Sequence, residues 1–147
     1  MSNKPDIADE PEVGLSFKEK SLWFTLVSTI VVFGYYFIRA LQLDGEPGRA
    51  GALFATIVVV FAAIHIVVHI ALTIYKKPER TDERDRLVSA KAARISYVVL
   101  MSGVWGALGV ASLQLGTFWF AHAALLAILL GEVTNCSAQL VYYRRGA

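Results

Sequence analysis

From Ile95 to Tyr143 the chain carries one formal charge, Glu132, in 49 residues. As a single helix that run would extend about 73 Å, more than twice the roughly 30 Å of hydrocarbon in a bilayer. It must therefore fold back on itself. Its one polar break, Gln114-Leu115-Gly116-Thr117, supplies the turn. A helical hairpin is predicted, with membrane spans at 95–115 and 118–143 and the turn centred on Thr117.

The first half has the same character. Ser21 to Leu43 is interrupted only by Arg39, and Ala50 to Tyr75 holds no formal charge, only His65, His69, Thr56 and Thr73 as polar groups. Between them, Asp44-Gly45-Glu46-Pro47-Gly48-Arg49 is dense in turn formers and charge and reads as a loop outside the hydrocarbon. With 56% hydrophobic residues and a mean hydropathy of +0.53, the 147 residues are too apolar for an ordinary soluble domain. The expected fold is all-α, a polytopic membrane protein whose four transmembrane helices (21–43, 50–75, 95–115 and 118–143) form one bundle over residues 21–147. Residues 1–20 precede it as a disordered tail, with Pro5, Pro11 and Gly14 among the acids Asp6, Asp9, Glu10 and Glu12. The first apolar run is longer than the core of a signal peptide, and no small-residue cleavage site follows it.

Charge sits between the halves, in residues 76–94. Pro78 ends the second helix. Thr81 is placed to cap a third, with Asp82, Glu83 and Asp85 in its first turn against the helix dipole and Asp82/Arg86 as an i,i+4 pair. This helix is expected to start in water near Asp82, cross the interface over Leu87 to Arg94, enter the bilayer near Ile95, and so extend into the cytoplasm. All Lys and Arg except Arg39 and Arg49 fall on one side of this topology, which puts both termini and the charged segment in the cytoplasm. The run Thr81-Asp82-Glu83-Arg84-Asp85-Arg86-Leu87, continuing through Lys91-Ala92-Ala93-Arg94-Ile95, resembles a motif of small bacterial membrane proteins grouped as a domain of unknown function. The resemblance implies a small polytopic membrane protein of bacterial type and brings no activity, cofactor or catalytic residue with it; the expected location is the inner membrane of a bacterium.

Helices three and four carry matching small residues at i, i+4, i+8: Gly103, Ala107 and Ala111 against Ala123, Ala127 and Gly131. Folding about Thr117 pairs Ala111 with Ala123, Ala107 with Ala127 and Gly103 with Gly131. Such a seam lets two backbones approach closely, which is how helices associate in lipid.

Glu132 is the costliest residue, about 22 Å into helix four at 1.5 Å per residue. His65 lies at the same depth in helix two. One turn further in, His69 is level with Asn135 and Cys136, and helix one adds Thr25, Ser28 and Thr29. Packing helix two on the Glu132/Cys136/Gln139 face would oppose His-x3-His to Glu-x3-Cys. That cluster has three readings: a hydrogen-bonded packing network, a proton or ion pathway through Glu132, His65 and His69, or a zinc-like metal site formed by His65, His69, Glu132 and Cys136. Haem is not expected, since His122 misses the level of His65 by roughly 15 Å.

The net charge of +2 leaves no footprint for nucleic acid, and the single Cys136 allows no internal disulfide. No nucleophile and base pattern or cofactor fingerprint supports an enzyme. The expected function is that of a non-enzymatic accessory or regulatory membrane protein, docking a partner through Asp82, Glu83, Arg84, Asp85 and Arg86. The alternative is a small transporter or channel component using the polar cluster. Beyond the bilayer, the expected partners are further copies of the chain or a membrane complex.

Overall fold

A computed structural model describes residues 17–43, 46–75 and 83–145. The tail up to residue 16, Asp44, Gly45 and the segment 76–82, including Thr81 and Asp82, lie outside the described residues. Four helices follow in order: α1 (Phe17–Leu41), α2 (Pro47–Tyr75), α3 (Glu83–Ser112) and α4 (Thr117–Arg145). Each is long and apolar enough to cross a membrane, so the chain is a multi-pass membrane protein.

The helix boundaries have local causes. Pro47 opens α2 at the first helical position, where a missing N–H costs nothing, and Glu46 caps it by accepting from Ala50 N at 3.1 Å. α3 ends where Gln114 takes the left-handed conformation (φ 56°), and Gly116 (φ 95°) completes the turn. Helix α4 thus begins at Thr117, with Phe120 N donating to Gly116 O. Thr117 is helix rather than the middle of the turn, which moves the hairpin's centre toward Leu115.

That displacement resets the seam by one helical turn. Gly103 faces Ala127 and not Gly131, so closely that a Cβ on Gly103 would lie 2.6 Å from the Ala127 Cβ. Gly131 packs instead against Leu100 and the Ser96 carbonyl. Ala107 and Ala127 are buried and Ala123 is half-buried, whereas Ala111 is exposed beside the turn. Gly103, Ala127 and Gly131 thus lie where α3 and α4 approach, in a register other than the expected one.

α3 and α4, of 30 and 29 residues, pack along their whole lengths. α1 lies antiparallel on α4, and α2 lies antiparallel on α1. The order across the protein is therefore α2, α1, α4, α3. On α1 the residues facing inward are Leu22, Leu26, Thr29, Phe33, Tyr36 and Ala40, a four-three alternation typical of left-handed helix packing. One group of core residues surrounds Phe33, Tyr36 and Ile57, and a second joins Leu26 to Cys136 and Leu140.

The described ends of the chain, at Phe17 and Arg145, share one end of the bundle with the start of α3. α3 does not run free there. Val88 and Ala92 have no exposed surface, so this stretch, expected to project into water, is laid against its neighbours. Its small and branched residues let it continue the seam beyond Gly103.

Candidate functional site

The charged end is built around Asp85. Its carboxylate pairs with Lys18 at the start of α1 and accepts from the Tyr143 hydroxyl of α4 at 2.9 Å. Arg84 donates to the Tyr143 carbonyl at 3.1 Å. One aspartate thus joins three helices. Lys91 lies over the Tyr142 ring and Arg144 over Trp23, at 5.8 and 5.7 Å from the ring centroids, adding two cation–π contacts. Of the residues expected to dock a partner, Arg84 and Asp85 are engaged within the bundle, and Asp82 lies outside the described residues. Glu83 and Arg86 are exposed and line an open hollow with Leu87 and Ala90.

The polar residues at depth do not converge. α1 occupies the place beside Cys136 where α2 was considered, so His65 is turned toward α1. Its Nδ1–H donates to the Phe61 carbonyl at 3.0 Å, and Nε2 faces Ser28 Oγ at 3.2 Å. Ser28 has one hydroxyl proton and two acceptors for it, the second being the Thr25 carbonyl at 3.1 Å. The side chain of His69 lies outside the described part of α2. Thr29 Oγ1 is buried without a hydrogen-bond partner.

Glu132 points outward. It is the sixteenth of the 29 residues of α4 and is exposed on the flank of the bundle, in a groove between α3 and α4. It accepts from Cys136 Sγ at 3.6 Å, a weak donor one turn along, while Cys136 itself is buried against α1. A charge at the centre of a membrane helix costs about 3 kcal/mol on insertion scales. Among the described residues, no group of three or more His, Cys, Asp or Glu side chains comes together to hold a metal. Gln139 bonds Asn135 at 3.2 Å within α4. At the other end, Arg39 donates to Gln42 and Glu46 pairs with Arg49.

A second, half-buried histidine–hydroxyl pair escaped sequence reasoning. The Tyr36 hydroxyl donates to His122 Nε2 at 2.9 Å, while His122 Nδ1–H donates to the Phe118 carbonyl at 2.7 Å. Both histidines follow a phenylalanine by four residues, with ring centroids 4.0 Å (Phe61/His65) and 4.1 Å (Phe118/His122) apart. The repeated Phe-x3-His was the available signal. In both, the preceding carbonyl fixes the tautomer and leaves Nε2 for a hydroxyl of α1. The Tyr36→Phe variant is expected to lose about 0.6 to 1 kcal/mol of stability. A double-mutant cycle with His122→Phe, read by unfolding in mixed detergent and SDS, should return that value as coupling; zero coupling would show the bond to be idle.

Compared with protein-family models, curated proteins and solved structures, the chain matches none.

Proposed function

We propose that this chain is a small non-enzymatic integral membrane protein, accessory or regulatory in role, that acts by presenting surfaces to neighbours. The observation that carries this reading is the arrangement at the charged end: Asp85 holds the start of α3 against α1 and α4, which leaves Glu83, Arg86 and Leu87 as a rigid exposed lip. Mixed charge on a fixed helix suits a complementary helix or loop of a partner better than it suits a solvated tail. Histidines 65 and 122 are engaged in bonds between helices, which supports a structural duty for them.

In this reading the basic residues of the charged end face the cytoplasm by the positive-inside rule, with both termini there, in a bacterial inner membrane. The docking test is the double reversal Glu83→Lys with Arg86→Glu, at two exposed positions. Recovery of a co-purifying protein from native membranes should fall at least about fivefold with thermal stability unchanged. Undiminished recovery would remove the lip from the account.

The central position of Glu132 keeps a second reading in play, a transporter or channel component with a proton or cation site. Because Glu132 faces outward, that pathway would need another chain to enclose it. Its signature is loss of proton or cation flux in proteoliposomes on Glu132→Gln, with normal expression.

A further inference from the structure

The outer face of the α3–α4 hairpin carries a carboxyl group with little to accommodate it. Glu132 sits mid-helix, exposed, with one weak sulfur donor. Acyl chains offer a carboxyl no hydrogen bond, so a protein donor must reach it at that depth.

The same groove holds such a donor. Gly131 packs between Leu100 and Ser96, which brings Glu132 on α4 and Tyr97 on α3 to the two banks of the groove at one level. Tyr97 is 61% exposed. Its hydroxyl forms no hydrogen bond to Glu132 or to any other described residue. An acceptor and a donor thus face outward at equal depth without satisfying each other. The floor between them is Gly131 and Leu100, and Ile128, 58% exposed, stands one turn from Glu132 on the same flank.

We propose that two copies of this chain meet along this groove, with the Glu132 carboxyl of each protomer accepting a hydrogen bond from the Tyr97 hydroxyl of the other. Copies inserted in one orientation are related by a twofold axis along the membrane normal, so equivalent residues share a depth. An isologous contact requires a surface complementary to itself, and a donor level with an acceptor meets that requirement. A different partner would have to bring its own donor to the same height; a second copy has it by symmetry. This surface is separate from the lip at Glu83 and Arg86, so the pairing does not depend on the docking reading.

The test is crosslinking in native membranes with a bismaleimide, using Ile128→Cys in a Cys136→Ala background and Val67→Cys on the outer face of α2 as the control. The Ile128→Cys protein is expected to give a covalent homodimer at least tenfold more abundant than the control. Adding Tyr97→Phe, which removes one exposed oxygen and leaves the fold intact, should lower that yield about tenfold, and Glu132→Leu should do the same. The yield should survive the Glu83→Lys/Arg86→Glu reversal, which separates this result from the docking test. Crosslinking no greater than the control, a product with a different protein, or a yield indifferent to Tyr97→Phe and Glu132→Leu would overturn the proposal.

Discussion

Replacing Gly103 with leucine is expected to part α3 from α4 at the middle of their seam and leave little folded protein. Even alanine is too large there. A Cβ at Gly103 would lie 2.6 Å from the Ala127 Cβ and 3.0 Å from its Cα, and the obstacle is a helix backbone rather than the end of a flexible chain. Overpacking of this kind costs about 1 to 3 kcal/mol. The control lies one turn away: a Cβ at Gly106 would meet nothing within 4 Å. Gly106→Ala should therefore be neutral or slightly stabilising, because alanine is the better helix former by about 1 kcal/mol. Gly131→Ala should fall between, its neighbour being Leu100 Cβ at 3.2 Å. Helicity followed through an SDS titration would rank the three. Equal midpoints for Gly103→Ala and Gly106→Ala would refute the close approach.

Asp85→Ala should loosen one end of the molecule and spare the rest. The carboxylate serves Lys18 and Tyr143, and the Arg84 bond to the Tyr143 carbonyl and the Lys91 ring contact stand beside it at that end. With the Lys18 and Asp85 side chains 26% and 18% exposed, water screens part of the ion pair. The expected loss is about 2 kcal/mol, below that for a fully buried pair. It should be local. Amide exchange over Glu83 to Val88 should speed at least about tenfold while residues around Ala107 keep their protection. Asp85→Asn, which still accepts from Tyr143, should sit closer to the native protein. Uniform acceleration along α3 would mean that Asp85 holds the whole hairpin and not its end.

Depth was legible in this chain and azimuth was not. Counting residues from a polar break puts Glu132 and His65 at one level along their helices, because the rise of a helix is constant. Which neighbour each side chain meets depends on the order of helices around the bundle, and in lipid the outer face is as apolar as the inner one. The inward residues of α1 from Leu22 to Ala40 are hence hidden in a helix whose outward residues include Val27, Val31 and Ile38. His65 was matched to Glu132 by level, although α1 stands next to Cys136 and receives His65 through Ser28. The seam was legible through size rather than hydropathy. Its register was missed by one turn because the sequence does not announce that Gln114, a residue with a Cβ, takes the left-handed conformation. The start of α3 reads as a solvated helix by charge alone, and only the burial of Val88 and Ala92 reveals that it belongs to the bundle.

The lateral position of α2 bears on how this chain tolerates sequence drift. α2 rests on α1 and presents Val59, Ile66, Val67 and Ile74 to the surroundings, each well over half exposed. Most of its positions answer to the solvent of the bilayer and not to a neighbouring side chain, so any residue of similar oiliness serves. In a saturation library α2 should accept exchanges among Val, Ile, Leu, Phe and Ala almost everywhere except near Ala50, Ile57 and His65, where it touches α1. The chain thus holds two kinds of membrane helix: α4, spelled out residue by residue by what leans on it, and α2, for which composition is nearly the whole instruction.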